Sequence, residues 1–496
     1  MDIISQVINN FTSIDTISVL LIGVVAGLVI GSIPGMTSTM AIALLIPITF
    51  NMDSTNGLIM LVSVYTAGVY AGSLPGILLN TPGTPSSAAT VLDGYPLMMQ
   101  GEGTKAIGIA TIGSVVGGLF SGVVLLFLAP ILANISLLFS APEYFLIAVF
   151  GLTIIASLSE GSVIKGLMAG TFGLLLGTVG IDLMTGVPRF TFGSVALEGG
   201  ISLIPALIGF FSISQVMMLS EEKGGNKKLS EKGVKGNVLP TKNEFSEMVP
   251  SLIRSPIIGV LVGMLPGTGG DIGSWMSYNE AKRFSKNKEK FGKGSIEGLT
   301  ASETGNNATT GGSIVPMVTL GIPGSAATAV LLGGIISAGL TPGHELFTKH
   351  GDVVYSMIVG FFIATILMGV IGLLSAKHIS KVINVPTGIV APLIVCFAVV
   401  GSYAINNSIS DVWIMLVVGI MGYFMRKTGF PVAPIVLGLI LGPIAEEGFR
   451  QSLSMTSDSI IIYYLSRPIS VTLIILTVFS VIVPVYRNFK NKKDTN

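Results

Sequence analysis

A Pro-Gly pair interrupts an apolar segment at four places in this chain, and the four places form two similar sets. The first set reads GSIPG at 31–35 and NTPGTPSSAAT at 80–90, and the second reads GMLPG at 263–267 and GIPGSAATAV at 321–330. Proline and glycine disfavour helix interiors, so each pair marks a point where an apolar helix ends or bends. Duplicated, broken apolar segments are typical of secondary transporters, which bind substrate between two related halves.

Composition indicates a membrane protein. Hydrophobic residues make up 50% of the chain, charged residues make up 11%, and the mean hydropathy is +0.80. Soluble domains carry about 25% charged residues. Apolar runs such as 16–33, 105–128, 352–376 and 460–485 are long enough to cross about 30 Å of hydrocarbon. Because these runs do not alternate between apolar and polar residues, we predict an all-α polytopic membrane protein with roughly a dozen crossings.

Charged residues predict the topology. Lysine and arginine occur in the polar stretch 221–249, in the run 282–293 and in the tail 487–496. The positive-inside rule places all three in the cytoplasm. Residues 1–15 contain no lysine or arginine, which argues against a cleavable signal peptide and places the N-terminus outside. The net charge of +1 predicts no nucleic-acid partner, and the single Cys396 permits no intramolecular disulfide.

The two sets of breaks are predicted to face opposite sides of the membrane. The apolar segment between the first two basic stretches must enter and leave on the cytoplasmic side, turning at Pro266-Gly267. The matching segment 16–50 turns at Pro34-Gly35 between flanks without basic residues, so it opens to the outside. We therefore predict two inverted-topology repeats with re-entrant helical hairpins and broken helices. The alternative is that each segment crosses with a kink, because proline is tolerated in membrane helices.

These boundaries predict a domain plan. The first repeat covers 1–220, with a hairpin core at 16–105 and scaffold helices at 106–220. A cytoplasmic linker at 221–249 leads to the second repeat, 250–486, with its hairpin core at 250–350 and scaffold helices at 351–486. A basic cytoplasmic tail, 487–496, closes the chain. The scaffold helices are the candidate contact for a homodimer.

Hydroxyl residues follow the breaks, as expected if the helices that begin there bind an anion. Helix N-termini offer unpaired backbone N–H groups and the positive end of the helix dipole. The alternative is that serine and threonine only cap the helices and hold them together. Fixed cations within the apolar parts are few, namely Lys165, Arg189 and Arg254, so recognition would rest on dipoles and hydroxyl groups. The predicted substrate site comprises Pro34, Gly35, Thr37, Ser38, Asn80, Thr81, Pro82, Gly83, Ser86, Gly267, Thr268, Gly269, Pro323, Gly324 and Ser325.

Amide and carboxylate side chains precede two of the breaks and suit a cation. Unwound backbone carbonyls with Asn, Thr or carboxylate oxygens are ligands for Na⁺-like ions, and ionisable residues at membrane depth are costly and usually functional. Asp93 and Asp271 are further candidates, although Asp93 could be an ordinary turn residue. The predicted cation site, for Na⁺ or a proton, comprises Asn80, Glu303, Asn306, Asn307, Thr319 and Gly321.

Enzymatic motifs are weak. GTGGD at 267–271 resembles the GxGD of intramembrane aspartyl proteases only loosely, and the sequence offers no convincing second aspartate to act with Asp271. The three histidines, His344, His350 and His378, lack the spacing of a zinc helix, and GKGS at 292–295 lacks the preceding glycine of a phosphate loop. We predict no enzyme and no cofactor beyond a coupling ion. An anion channel or an intramembrane protease remains the alternative.

Four motifs in order give a specific resemblance: NTPG, the run FGKGSIEG, NNA and LGIPGS. Together they resemble the large membrane subunit, TctA, of the tripartite tricarboxylate transporter family, strongly over residues 15–350. The resemblance implies a carrier in a prokaryotic inner membrane that imports citrate or other di- and tricarboxylates by symport with sodium or protons. It also implies two partners: a small membrane subunit (TctB-like) and a periplasmic or extracellular solute-binding protein (TctC-like).

Overall fold

The computed structural model describes residues 3–158, 163–182, 185–221, 236–267, 269–377, 387–456 and 459–494. Thr268 and His378 lie outside the described residues, as do residues 222–235 of the predicted linker.

The described chain is almost entirely helical, which confirms the all-α class. One short antiparallel pair of strands, β1 (Gly180–Ile181) and β2 (Pro188–Arg189), is present among these residues. The helices are α1 Ile3–Thr12, α2 Ile14–Gly31, α3 Ser38–Thr49, α4 Ser54–Ala71, α5 Ser73–Leu79, α6 Ala88–Leu97, α7 Gly103–Ile135, α8 Ala141–Leu158, α9 Val163–Gly177, α10 Leu203–Leu207, α11 Ser214–Glu221, α12 Lys242–Gly263, α13 Gly269–Phe284, α14 Ile296–Leu320, α15 Ala326–Ser337, α16 His344–Thr348, α17 Gly351–Ser375, α18 Thr387–Asn406, α19 Ile409–Lys427, α20 Ala433–Ser454, α21 Ile460–Leu465 and α22 Pro468–Asp494.

Eight segments of the described chain are long and apolar enough to cross a membrane. Shorter apolar helices accompany them, among them α3 and α15 of the broken segments. The polytopic fold is therefore confirmed, with fewer full-length candidates than the roughly dozen expected. The eight segments are Ile14–Gly31, Ser54–Leu79, Pro85–Leu138, Leu203–Glu221, Lys242–Gly263, Gly351–Ser375, Gly388–Asn406 and Ile409–Lys427.

Two compact units make up the chain, and each contains residues from both sequence halves. The larger unit comprises 1–131 and 215–401, and the smaller comprises 132–214 and 402–496. All four Pro-Gly breaks lie in the larger unit. The division places residues 351–401, which belong to the predicted scaffold of the second repeat, in the larger unit together with the breaks. The functional division into core and scaffold stays a prediction.

Within the larger unit, two stretches have the same order of elements. The order is a helix, a Pro-Gly turn and a shorter helix, followed by a helical segment that breaks and restarts: α2, α3, α4–α5 and α6 first, then α12, α13, α14 and α15. The backbone at equivalent turn glycines agrees, with φ of 81° at Gly35 and 77° at Gly267, values that favour glycine. Left-handed residues also end the helix before each second break, Asn80 (φ 57°) and Gly321 (φ 69°). The sequence repeat is thus a repeat of local conformation.

The two stretches also share the way in which helices begin after a break and the way in which their helices pack. Thr84 with Ser87 and Ser325 with Thr328 form reciprocal capping boxes immediately after the second and fourth breaks. Glycines let the first helix of each stretch lie directly on the longer helix. A Cβ atom at Gly27 would lie 2.7 Å from the carbonyl oxygen of Val64, and one at Gly259 would lie 2.3 Å from that of Gly305. Such small-residue contacts are typical of membrane helix packing. The opposite orientation of the two stretches stays a prediction.

The smaller unit carries ion pairs between its elements. Arg189 of β2 donates two hydrogen bonds to Glu446 at 2.6 and 3.2 Å. Arg450 pairs with Asp182, and Arg467 with the buried Glu143. These pairs join β2, α8, α20 and the segment before α22 within this unit. Pairing offsets part of the cost of removing these charges from water, and the loss of one partner would leave the other charge uncompensated.

Candidate functional site

Three of the four breaks meet at the first turn of α13. The backbone N–H of Gly269 donates to the carbonyl oxygen of Gly324 at 3.1 Å. A Cβ atom at Gly269 would lie 3.1 Å from Ser325 Cβ, and one at Gly270 would lie 2.3 Å from Asn306 Oδ1 and 2.9 Å from Ser86 Cβ. We call these five residues, Ser86, Gly269, Gly270, Asn306 and Ser325, the α13 junction.

The α13 junction presents hydrogen-bond donors without fixed positive charge. The first four N–H groups of a helix have no partner within it, and the dipole adds positive potential. Asn306 is fully buried, and neither its Nδ2 nor its Oδ1 has a hydrogen-bond partner. The hydroxyl of Tyr65 lies 3.4 Å from Ser325 Oγ. One charged group shares this turn: the exposed carboxylate of Asp271.

An unpartnered buried amide is unusual, because leaving such a group unsatisfied costs about 1–3 kcal/mol. Such a group in a native protein requires an explanation, for example a water, an ion or a functional role. The two glycines that begin α13 let its backbone pack closely against this amide and the two serines, where a Cβ atom would not fit. The arrangement can therefore hydrogen-bond a small anionic group such as a carboxylate.

The first break has other neighbours. A Cβ atom at Gly35 would lie 2.6 Å from Leu219 of α11, and Ser38 packs against Gly68 of α4. Thr37 caps α3 by accepting a hydrogen bond from the N–H of Met40 at 3.2 Å. The contacts described for the Pro34–Ser38 segment are thus structural. Their predicted role in substrate binding stays a prediction.

The glycines of the second and fourth breaks serve close packing. A Cβ atom at Gly83 would lie 2.7 Å from the carbonyl oxygen of Gly72, and one at Gly324 would lie 2.4 Å from that of Gly263. Backbone therefore approaches backbone at both glycines, and their predicted role in substrate binding stays a prediction. Pro82 and Asn80 are exposed, whereas Pro323 is buried. Thr81 donates to the carbonyl of Leu79 at 3.3 Å.

Glu303 lies in a second polar cluster. Its side chain is fully buried, and its Oε1 accepts hydrogen bonds from Ser73 Oγ at 2.6 Å and from Thr90 Oγ1. Its Oε2 accepts from Ser114 Oγ at 3.1 Å, and Asn307 Nδ2 donates to the same hydroxyl oxygen at 2.7 Å. No lysine or arginine in the described part of the chain forms an ion pair with Glu303. We call these five residues the Glu303 cluster.

The two clusters occupy different faces of α14. Glu303 and Asn307 are four positions apart and share one face, which meets α5, α6 and α7. Asn306 is turned by about 100° from Asn307 and faces the first turn of α13. The predicted cation site is therefore divided: Glu303 and Asn307 stay together, and Asn306 belongs to the α13 junction.

One expectation about the cation ligands is wrong in its geometry. Glu303, Asn306 and Asn307 lie inside α14, which runs without interruption to Leu320, so their carbonyls belong to the helix and only their side chains are available as ligands. Thr319 also bonds its own helix, donating to the carbonyl of Val315 at 2.8 Å. Gly321 ends α14 in the left-handed conformation. The polar side chains of this stretch therefore do not unwind the helix.

Asp93 is a structural anchor. It lies in α6, and its Oδ1 accepts hydrogen bonds from the backbone N–H groups of Gly292, Gly294 and Ser295 at 2.8 to 2.9 Å. Successive N–H groups arranged in this way form a nest that binds anions. The carboxylate thus fixes the loop before α14 to the first repeat, and the suggestion of an ordinary turn residue is wrong.

Four functional candidates escaped the sequence reasoning: Tyr65, Ser73, Thr90 and Ser114. Tyr65, Ser73 and Ser114 belong to no motif, and Thr90 is only the last residue of the NTPGTPSSAAT segment at 80–90. The nearest available signal was that Ser73 and Thr90 flank the second break on either side. Across the described residues, no group of three or more His, Cys, Asp and Glu side chains could hold a metal ion.

Comparison with known proteins gives the family. The model of the tripartite tricarboxylate transporter TctA family matches residues 17–437. An uncharacterised 52.8 kDa protein in the TAR-I ttuC′ 3′ region of Agrobacterium vitis is 35% identical over 499 residues, covering 100% of this chain and 98% of the relative. A second uncharacterised protein, in the TAR-II ttuC′ 3′ region of the same organism, is 34% identical over 48% of this chain and 97% of its own length. No solved structure is significantly similar. The chain therefore belongs to the TctA family of tripartite tricarboxylate transporters.

Proposed function

We propose that this protein is a secondary active transporter that imports a di- or tricarboxylate, such as citrate, in symport with a cation. The observation that carries the proposal is the buried, unpartnered amide of Asn306 at the first turn of α13, beside Ser86 and Ser325. One substrate carboxylate would accept hydrogen bonds from this amide, from the hydroxyls and from the N-terminal N–H groups of α13. Membership of a transporter family supports transport over enzymatic activity.

The absence of a fixed cation from the α13 junction suits a carrier. An arginine or lysine paired with a carboxylate would bind strongly and resist release, whereas dipoles and hydroxyl groups give weaker, reversible binding. The carboxylate of Asp271 on the same turn opposes an anionic substrate. Binding at this turn should therefore be stronger when a cation is bound nearby, which is one route to symport.

The Glu303 cluster is the proposed coupling-ion site. A buried carboxylate without a cationic neighbour is costly, so it would carry a proton or accept a cation such as Na⁺. The hydroxyl oxygens of Ser73, Thr90 and Ser114 and the unpartnered Oδ1 of Asn307 are hard ligands of the required kind. Both clusters share α14, so occupancy of one can alter the position of the other.

Alternating access requires the α13 junction to open. The direct hydrogen bond between Gly269 and Gly324 closes the space between the second hairpin and the fourth break. Opening would separate α13 from the start of α15 and admit substrate from one side. Inverted repeats would provide the matching movement on the other side through α3, which packs against α15.

The proposal includes location and partners. The protein would lie in a prokaryotic inner membrane with its N-terminus outside and its C-terminus in the cytoplasm. A TctB-like small membrane subunit would assemble with it, and a TctC-like solute-binding protein would deliver the carboxylate. These partners follow from the tripartite organisation of the family.

Counterflow in proteoliposomes tests the mechanism. Liposomes loaded with unlabelled citrate, or with another member of a panel of di- and tricarboxylates, should take up the labelled compound faster than empty liposomes, because a carrier exchanges across the membrane. The small subunit and binding protein are included in parallel reactions. Flux that depends only on the concentration difference, without stimulation from the far side, would indicate a channel and contradict the proposal.

A further inference from the structure

The smaller unit contains an apolar groove with a cationic rim. A cavity of about 630 Å³ opens between α9 and the end of α19, and Ile164, Met168, Phe172, Met425 and Phe430 line it. This volume lies within the range of about 300–1,000 Å³ that is usual for small-molecule sites. The lining is almost wholly apolar, so the groove suits a hydrocarbon chain.

Lys165 lies at one end of the groove. Its Nζ donates to the carbonyl oxygen of Thr428 at 2.6 Å and lies 5.2 Å from the centre of the Phe430 ring, which is part of the lining. Arg426 and Lys427 form the last turn of α19 at the same end. A lysine has three donors, and the bond to Thr428 uses one, so the ammonium group can also bind a phosphate oxygen. Capping the carbonyl end of α19 accounts for the position of Lys165, but it does not account for the apolar groove beside it.

The predicted topology puts this end of the groove in the cytoplasm. Counting back from the cytoplasmic stretch 221–249, through Leu203–Glu221 and then α9, places the N-terminus of α9 inside. Counting back from the cytoplasmic tail, with α22, α20 and α19 each taken as a crossing, places the end of α19 inside as well, although α20 and α22 are not among the eight full-length segments. The contact between Lys165 and Thr428 agrees with both counts, since it joins these two ends. Basic pockets between membrane helices on the cytoplasmic side bind anionic lipid headgroups.

We infer that this groove binds one acyl chain of an anionic phospholipid, with the headgroup phosphate on Lys165. The inference is independent of the proposed transport function. A transmembrane helix of a partner is the competing occupant, but a span of about 20 residues would need a far longer surface than the 15 residues of α9 offer.

Native mass spectrometry of the purified full-length protein tests the inference with two lipids that share acyl chains, phosphatidylglycerol and phosphatidylcholine. We expect about fivefold stronger retention of phosphatidylglycerol, because one lysine contributes about that factor for an anionic headgroup. Lys165→Gln should remove the preference. Met168→Trp, at a position that is 55% exposed, should fill the groove and lower retention of both lipids.

Val417→Trp is the matched control. Val417 is 62% exposed on α19 but does not line the groove, so this variant should bind both lipids as the unmodified protein does. Equal retention of the two lipids by the unmodified protein would overturn the inference. So would an unchanged preference in Lys165→Gln, or efficient crosslinking of Met168→Cys to the small membrane subunit in the assembled complex.

Discussion

Asn306 and Asn307 are neighbours in α14, yet the structure predicts opposite effects on stability when each is replaced by leucine. Leucine has the branched shape of asparagine without its polar atoms. Asn306 makes no hydrogen bond, so Asn306→Leu removes an unsatisfied buried amide and should raise the free energy of unfolding by about 1–3 kcal/mol. The first turn of α13 has glycine at its first two positions, which limits the cost of the apolar side chain.

Asn307→Leu should do the reverse. Asn307 Nδ2 donates to Ser114 Oγ at 2.7 Å and to the carbonyl oxygen of Glu303 at 3.3 Å. Removing these bonds also loosens a hydroxyl that donates to the buried Glu303, so the expected loss is about 1–3 kcal/mol. The two variants have the same composition and differ by one position, which makes each the control for the other.

Thermal unfolding in detergent and carboxylate uptake in proteoliposomes check the pair. We expect Asn306→Leu to unfold at a higher temperature than the unmodified protein while its uptake falls at least tenfold. A more stable protein with lost function is the usual signature of a binding residue. Destabilisation of Asn306→Leu as large as that of Asn307→Leu, or normal uptake by Asn306→Leu, would refute the reasoning.

Three further predictions concern charged side chains. Glu303→Gln keeps the shape of the Glu303 cluster but removes the charge that requires a proton or a cation. Accumulation of the carboxylate driven by a cation gradient should therefore fall at least tenfold, while counterflow persists. Equal loss of both activities would contradict the role assigned to Glu303. Asp271→Asn removes a negative charge from the first turn of α13 and should lower the apparent KM for the carboxylate about two- to fivefold, as helix-dipole energies of about 0.3–1 kcal/mol imply, and a raised KM would oppose the proposed site. Asp93→Ala leaves three backbone N–H groups of the loop before α14 without their acceptor and should lower the free energy of unfolding by about 3 kcal/mol or more. Asp93→Asn keeps an acceptor oxygen and should cost less. Equal unfolding temperatures for the unmodified protein and both variants would show that other contacts hold the loop.

Local features of the fold were readable from the sequence because short-range chemistry determines them. Pro34-Gly35 and Pro266-Gly267 lie in the connections between helices as predicted, and Ser325 caps α15 as its position after a Pro-Gly pair suggests. The all-α polytopic class followed from hydropathy for the same reason: each helix satisfies its own backbone in the membrane.

The site itself depended on contacts between distant parts of the chain. Ser86 and Asn306 both meet Gly270, although Ser86 is far from the other two in sequence, and nothing local in either segment indicates the contact. Because Asn306 and Asn307 are adjacent in the sequence, both were assigned to one predicted cation site. A helix points adjacent side chains in directions about 100° apart, so the neighbours of α14 decide which residue belongs to which cluster.

The role of Asp93 also depends on residues that are distant in the sequence. Its sequence context, LDGYP, resembles a turn, but α6 continues through it, and its partners come from a loop that begins about 200 residues later. The backbone N–H groups of Gly292, Gly294 and Ser295 together favour an anion at this position. The contact can be identified only once α6 and the loop are placed next to each other.

Protection of a single cysteine by substrate tests the α13 junction most directly. In a protein with Cys396→Ser, a cysteine at Ser86 and, separately, one at Thr37 are alkylated with a maleimide during turnover, with and without the transported carboxylate. The carboxylate should slow alkylation at position 86 several-fold and leave the rate at position 37 unchanged, because the hydrogen bond described for Thr37 stays within α3 and involves no junction residue. A variant that transports normally but reacts equally fast at position 86 with and without carboxylate would contradict the account.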